Sequence, residues 1–232
     1  LMNLDCTHYI TIDNARLPII IKRHAKAKHI LVRYDAKRDV VQLTYPKYAS
    51  LKSALAFAHS KAAWVSRQRG KRHITPIEDG AIISILGNEL TLKHVGGRGV
   101  LRQENAMLLV TGDASFMARR VKDYAKQMMR HEAGRLAKNY ADILGVTLGS
   151  ITLRETRSRW GSCSARGDIS LCWRLAYAPK PVHDYVVAHE VAHIKHHHHG
   201  ADFWQAVGEL CPNYKQHEAW LSANGHMLWG VV

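Results

Sequence analysis

The sequence predicts an α+β protein, with an antiparallel β-rich N-terminal part carrying one helix over 1–112 and, over 113–232, a second part in which a central helix packs against a small sheet. Three patterns predict it. Short runs rich in β-branched residues alternate with turn residues through the first half. Longer stretches with apolar residues three and four apart dominate the second half. A hairpin-like segment precedes an apolar helical run that contains two histidines four apart.

The elements come in order along the chain. Ile19 to Ile21, His29 to Tyr34 and Val40 to Leu43 are separated by basic or turn residues and read as antiparallel strands. Ser50 stands where an N-cap belongs, and Leu51, Ala54, Leu55, Ala58, Ala62 and Val65 continue at helical spacing as far as Gly70. Ala81 to Leu86, Glu89 to His94 and Met107 to Val110 form a second β-rich block, divided by Gly87-Asn88 and by the glycine-rich turn around Gly96 to Gly99. That turn lacks the ordering of a phosphate-binding loop and reads as a hairpin end.

From Ser115 to about Leu144 a stripe of Met117, Val121, Tyr124, Met128, Leu136 and Tyr140 predicts a helix that stops at Gly145. Ser150 to Glu155 reads as a strand. Trp160 to Ser164 and Asp168 to Leu175 read as two hairpin arms turning near Ala165-Arg166-Gly167. Pro181 suits the first turn of a helix running to about His197, and two short helices are expected over Ala201 to Leu210 and from beyond Pro212-Asn213 to about Ala223.

Composition narrows the setting. Residues of hydrophobic type make up 47% of the 232, enough for a substantial core without cross-links. The four cysteines, Cys6, Cys163, Cys172 and Cys211, show no CxxC spacing, which fits a reducing compartment. No stretch approaches the roughly 18 apolar residues of a membrane span, and no secretory leader is recognisable, so a cytoplasmic protein without membrane contact is expected. Lys and Arg outnumber Asp and Glu by 33 to 19, giving a formal charge of +14. Such a field attracts polyanions, yet the charge is spread over Lys22 to Arg38, Lys61 to Arg72 and Arg119 to Lys138 without aromatic interleaving, and reads first as solvated surface.

His189-Glu190-Val191-Ala192-His193 carries the chemistry. Residues four apart on a helix face the same way with Cβ atoms about 6 Å apart, so the two imidazoles are able to grip one ion. Zinc accepts neutral histidine nitrogens, and a catalytic site needs three protein ligands and an open position. Glu190, about 100° around the helix from His189, reaches a water there without taking a ligand position. The motif lies in an apolar run from Tyr185 to Ile194, where buried histidines and a glutamate would be costly without a metal to satisfy them. For the third ligand, His196 and His197 lie too far along the helix axis. His199, beside Gly200, is favoured over His198, and Glu209, His217 and Glu218 are downstream competitors.

The run from Arg157 to Trp204 resembles the YgjP/SprT-like zinc metallopeptidases, most closely the YgjP-like branch. The residues that carry the likeness are Arg159-Trp160-Gly161-Ser162-Cys163-Ser164, Trp173-Arg174-Leu175, Ala178-Pro179, Tyr185-Val186-Val187, His189 to His196 and His199-Gly200-Ala201-Asp202-Phe203-Trp204. The likeness extends over most of the chain. It implies a zincin-like domain, His199 as the third ligand of one Zn2+ per chain, and a cleft bordered by Trp160, Gly161, Ser162 and Cys163 as substrate-binding residues. The chain departs from the family pattern at Cys172, His198 and Gly200.

The function expected is a zinc-dependent endopeptidase, with Glu190 activating a zinc-bound water against a protein or peptide substrate. Tyr177, Tyr185, His183 and the cluster from Arg154 to Arg159 are candidates for stabilising the oxyanion. Cys163 is not expected to act as a nucleophile. The alternative is a basic nucleic-acid-associated protein, with structural zinc or as a protease acting on DNA-bound proteins, the latter implied by SprT-like relatives.

Overall fold

The computed structural model describes residues 8–12, 15–35, 38–70, 75–156 and 159–231. Cys6, Arg72 and Arg157 lie outside the described residues. The chain forms two compact units, residues 1–74 and 75–232. The boundary expected at 112/113 therefore falls inside the second unit. The second β-rich block shares one continuous core with the helices that come after it, with Ile83, Leu90, Leu92 and Leu108 in the same cluster as Val121 and Val187.

In the first unit, strands β1 (Tyr9–Ile12), β2 (Ala15–Arg23), β3 (Leu31–Asp35) and β4 (Val40–Tyr45) form a sheet in the order β1-β2-β4-β3. The runs expected to pair antiparallel do so only in part: β2 and β4 are parallel, with Ile21 opposite Leu43, and β3 pairs antiparallel at the edge. Alternation of apolar residues marks a strand but carries no direction, so the error is of pairing and not of type. Helices α1 (Leu51–Ser60) and α2 (Ala62–Gly70) cover the sheet where one helix was expected. Ser50 caps α1 by accepting from the Ser53 amide at 3.0 Å, as its position predicts. The core joins Ile10, Leu17, Ile19, Val41 and Leu43 to Ala54, Ala58 and Val65.

The second unit opens with β5 (Ile82–Ile85), β6 (Asn88–Gly96), β7 (Arg102–Glu104) and β8 (Met107–Thr111), ordered β5-β6-β8-β7 with β6 and β8 parallel. Helix α3 (Met117–Leu144) buries Met117, Val121, Ala125, Met129, Ala133, Leu136 and Leu144, a stripe at helical spacing, and ends at Gly145 in the left-handed region, φ 63°. A three-stranded sheet comes next, with β10 (Gly161–Cys163) antiparallel to β11 (Ile169–Cys172) and β9 (Ile151–Arg154) parallel on its other side. β10 is thus an edge strand. Trp173 to Leu175, expected to continue the hairpin arm, belong instead to a short 3-10 helix, Trp173–Tyr177.

Helix α4 (Lys180–Lys195) is the centre of the unit, with proline in its first turn. It packs against α3, β10 and the later helices α5 (Ala201–Leu210) and α6 (Tyr214–Asn224). No helix among the described residues is long and apolar enough to cross a membrane. The α+β class and the helix packed on a small sheet match the expectation.

Candidate metal centre

Helix α4 stops at Lys195, two residues before the expected end, because His196 adopts an extended conformation, φ −131° and ψ 103°. The stop has two consequences. The His196 carbonyl accepts a hydrogen bond from His193 Nδ1 at 3.1 Å. A carbonyl only accepts, so Nδ1 carries the proton and Nε2 keeps its lone pair for an electrophile. The segment 196–200 then leaves the helix axis and carries His199 back over the helix, its Nε2 3.2 Å from His189 Nε2.

His189, His193 and His199 form a group whose ligand atoms all lie within 4.8 Å of one another. Among the described residues, His198, Glu209, His217 and Glu218 are not part of any such group. A tetrahedral ion with nitrogens at about 2.0 to 2.1 Å holds them about 3.3 Å apart, close to the His189–His199 separation. Burial, aided by His193 and His199, pulls His189 down to about 4, and burial also lowers His193. Both rings are therefore neutral near pH 7, the form that binds metal. The donor set, three imidazoles without thiolate, suits zinc and leaves a fourth position to solvent or substrate. The residues present fit a divalent ion.

Glu190 is only 4% exposed. Its Oε2 has no hydrogen-bond partner among the described residues, and burial raises its pKa to about 8 against a lowering by Arg159. A buried carboxyl without a partner is costly, and catalytic acids and bases are where such costs concentrate. The edge strand lies directly against it: a Cβ built on Gly161 would collide with the Glu190 carboxylate. Gly161 is required by this close approach, not by a left-handed conformation.

The other expected cleft residues fall nearby with distinct surroundings. Trp160 packs against Trp229 at 6.0 Å between ring centroids and leaves no room for a Cβ on Gly225, while its carbonyl accepts from the Cys172 amide. Ser162 pairs opposite Ser170. The Cys163 thiol is pushed up to about 11 by burial, with Glu190 and Asp168 adding to the rise, so it stays protonated at neutral pH and is a poor nucleophile. Of the oxyanion candidates, Tyr185 lies edge-on to His189 at 5.9 Å. His183 is fully buried and paired with Asp184, and Tyr177 packs edge-on against Trp173.

One contributor was not singled out by its pattern. Phe203, fully buried on α5, lies 4.9, 4.5 and 4.8 Å from the rings of His189, His193 and His199 and backs all three. Its neighbour Trp204 touches His189 and His199 and stacks on Tyr214. The signal was present as the apolar stripe Phe203, Ala206, Val207, Leu210, which reads as ordinary core.

The model of the YgjP-like metallopeptidase domain matches residues 28–224. The crystal structure of the metallopeptidase zymogen of Pyrococcus abyssi abylysin aligns at 24% identity over 39% of this chain and 92% of that chain, with a TM-score of 0.37. No curated protein matches significantly.

Proposed function

The chain belongs to the YgjP-like metallopeptidase family and is a peptide hydrolase, and from that premise we propose that it is a zinc-dependent endopeptidase whose ion is held by His189, His193 and His199 and whose general base is Glu190. The observation that carries the reading is the convergence of three imidazole nitrogens within 4.8 Å, two of them on the helix that bears the buried Glu190, whose Oε2 has no hydrogen-bond partner among the described residues. When bound, a divalent ion supplies Lewis-acid polarisation of a carbonyl and lowers the pKa of a water towards 7.

The chain's own residues do the rest. The hydrogen bond from His193 Nδ1 to the His196 carbonyl fixes that ring's tautomer, and Phe203 holds the three rings in one arrangement, so the ligands are set before metal arrives. Glu190 takes a proton from the attacking water and passes it to the leaving amine. Its burial on the helix that bears two of the ligands keeps competing water away from both acts. The edge strand β10 offers unpaired backbone groups to an extended peptide, with the backbone of Gly161 against the base, so pairing along this edge would carry a scissile carbonyl past Glu190. Trp160, Ser162 and Cys163 are the neighbouring substrate contacts in this proposal. Tyr185 is the favoured oxyanion donor, because its ring borders the ligand ring of His189.

The test combines metal analysis with cleavage of an unstructured protein substrate. Glu190→Gln keeps one zinc per chain and loses about 10²- to 10⁴-fold in kcat, while His193→Ala loses both metal and turnover. Full activity in Glu190→Gln, or full zinc occupancy in His193→Ala, overturns the assignment.

A further inference from the structure

Charge is divided very unequally between the two units. Residues 1–74 contain 15 Lys and Arg against four Asp and no Glu, while residues 75–232 contain 18 against 15. The first unit thus carries +11 of the formal +14.

The topology of the first sheet gathers much of this charge at one end. β2 and β4 are parallel and finish together, Arg23 opposite Tyr45, and β3 begins there, with Leu31 opposite Thr44. The β2–β3 connection and the β4–α1 connection therefore leave the sheet side by side. They bring together Lys22, Arg23, Lys26, Lys28, Lys47 and Lys52, all exposed, with no acidic residue in either segment. The carboxylates described in this unit, Asp35 and Asp39, stand at the opposite end, where Asp39 pairs with Arg69.

A second feature sits within the basic cluster. Tyr48 is 78% exposed, the most exposed aromatic ring among the described residues of the unit, yet it is not loose: its hydroxyl donates to the Lys28 carbonyl at 2.5 Å. Arg23 likewise ties the two connections by donating to the Lys47 carbonyl at 2.5 Å. A ring so open to solvent, fixed at its tip and set between two lysine-bearing connections, is unusual for a merely solvated surface. Burial does not account for it.

We propose that this end of the first unit binds single-stranded nucleic acid, with phosphates held by the six Lys and Arg side chains and an unstacked base on Tyr48. Backbone charge supplies affinity in such complexes, and an exposed ring stacks on bases that a duplex keeps paired and hidden. The inference rests on the first unit alone and is independent of the peptidase reading.

The experiment is anisotropy of a fluorescein-labelled oligothymidylate titrated with the full chain between about 50 and 200 mM salt. Six phosphate contacts at about 0.7 counterions each give a slope near 4 in log Kd against log salt. The variant K26A/K28A/K47A halves that slope and weakens binding by on the order of tenfold or more. Tyr48→Ala weakens binding by on the order of tenfold while leaving the slope unchanged. Removal of equal charge from the second unit, as R130A/K138A/K215A, changes neither. Zinc content and peptidase activity stay at the level of the parent in every variant, which separates this result from any failure of the metal site. Absence of binding at about 50 mM salt overturns the proposal. So does an equal loss in R130A/K138A/K215A, an unaltered affinity in Tyr48→Ala, or duplex DNA or phosphatidylserine vesicles binding as tightly as the single strand.

Discussion

The sheet of β1 to β4 and the sheet of β5 to β8 are wired alike. Each is a hairpin succeeded by a second hairpin whose last strand docks parallel to the inner strand of the first, giving the orders β1-β2-β4-β3 and β5-β6-β8-β7. Even the second-hairpin turns agree in placing a residue with a side chain in the left-handed region, Asp39 in one and Asn105 in the other. They differ in the helices attached to them. After β4 come two short helices that close a small core, whereas after β8 comes the 28-residue α3, whose buried stripe joins the sheet to α4 and its histidines. The same strand topology thus serves a self-contained basic unit in one place and the base of the proposed metal site in the other. What a sheet supports is set by the apolar face presented to it, not by its wiring.

Three perturbations sharpen that contrast. The largest effect is expected at Gly161, which has no counterpart in the first unit. A Cβ there displaces the Glu190 carboxylate, so with Glu190 as the proposed base Gly161→Ala should keep zinc and lose on the order of a hundredfold in kcat, as misplacement of a reacting group by about an ångström does. Wild-type turnover in that variant would break the link between the edge strand and the base.

The next compares cavities on inner strands of the two sheets. Leu43 on β4 and Leu92 on β6 are both fully buried, and truncation of each to alanine should cost about 2 to 5 kcal/mol. Their consequences diverge. Leu92→Ala weakens the core shared with α4, so zinc retention and activity at elevated temperature fall with it, while Leu43→Ala lowers stability of the first unit and spares both. Differential scanning calorimetry with a peptidase assay on the heated samples checks this, and equal loss of activity in the two variants would erase the distinction.

The smallest effect concerns pH. Arg135 and then Lys180 hold Glu132 down to about 2, and Lys180 lies in the first turn of α4, so this carboxylate bridges α3 to α4. Because its folded pKa is depressed from an ordinary value of 4.5, its contribution is complete above that pH and is lost as pH falls through about 2. Glu132→Gln should therefore lower the urea midpoint of the second unit at pH 7, with the gap to wild type closing towards pH 2. A gap of equal size at both ends would exclude the ion pairs as its cause.

Much of the second unit was legible in advance. The extent of α3 and its Gly145 stop, the proline start of α4, the hairpin turn at Gly167, and His189 and His193 on one helix face all depend on residues within a few positions of one another. The first unit was less so. Its strands were recognisable, except β1, but the parallel partner of β2 lies about twenty residues away, and the alternation that marks a strand is blind to its neighbour. For the same reason Phe203 passed as core, and the basic residues passed as scattered charge until Tyr48 met Lys28.

The sequence by itself determined the chemistry on offer: which side chains are able to bind a metal, which helix presents two of them, and that a carboxyl stands beside them, because helical spacing is a local property. Only the tertiary structure decided that His199 returns to His189, that Glu190 leaves the edge strand no room for a side chain at Gly161, and that one end of a sheet concentrates positive charge around a fixed ring. Those are distances between segments far apart in the chain, and they are fixed by packing of whole faces rather than by any short run of residues.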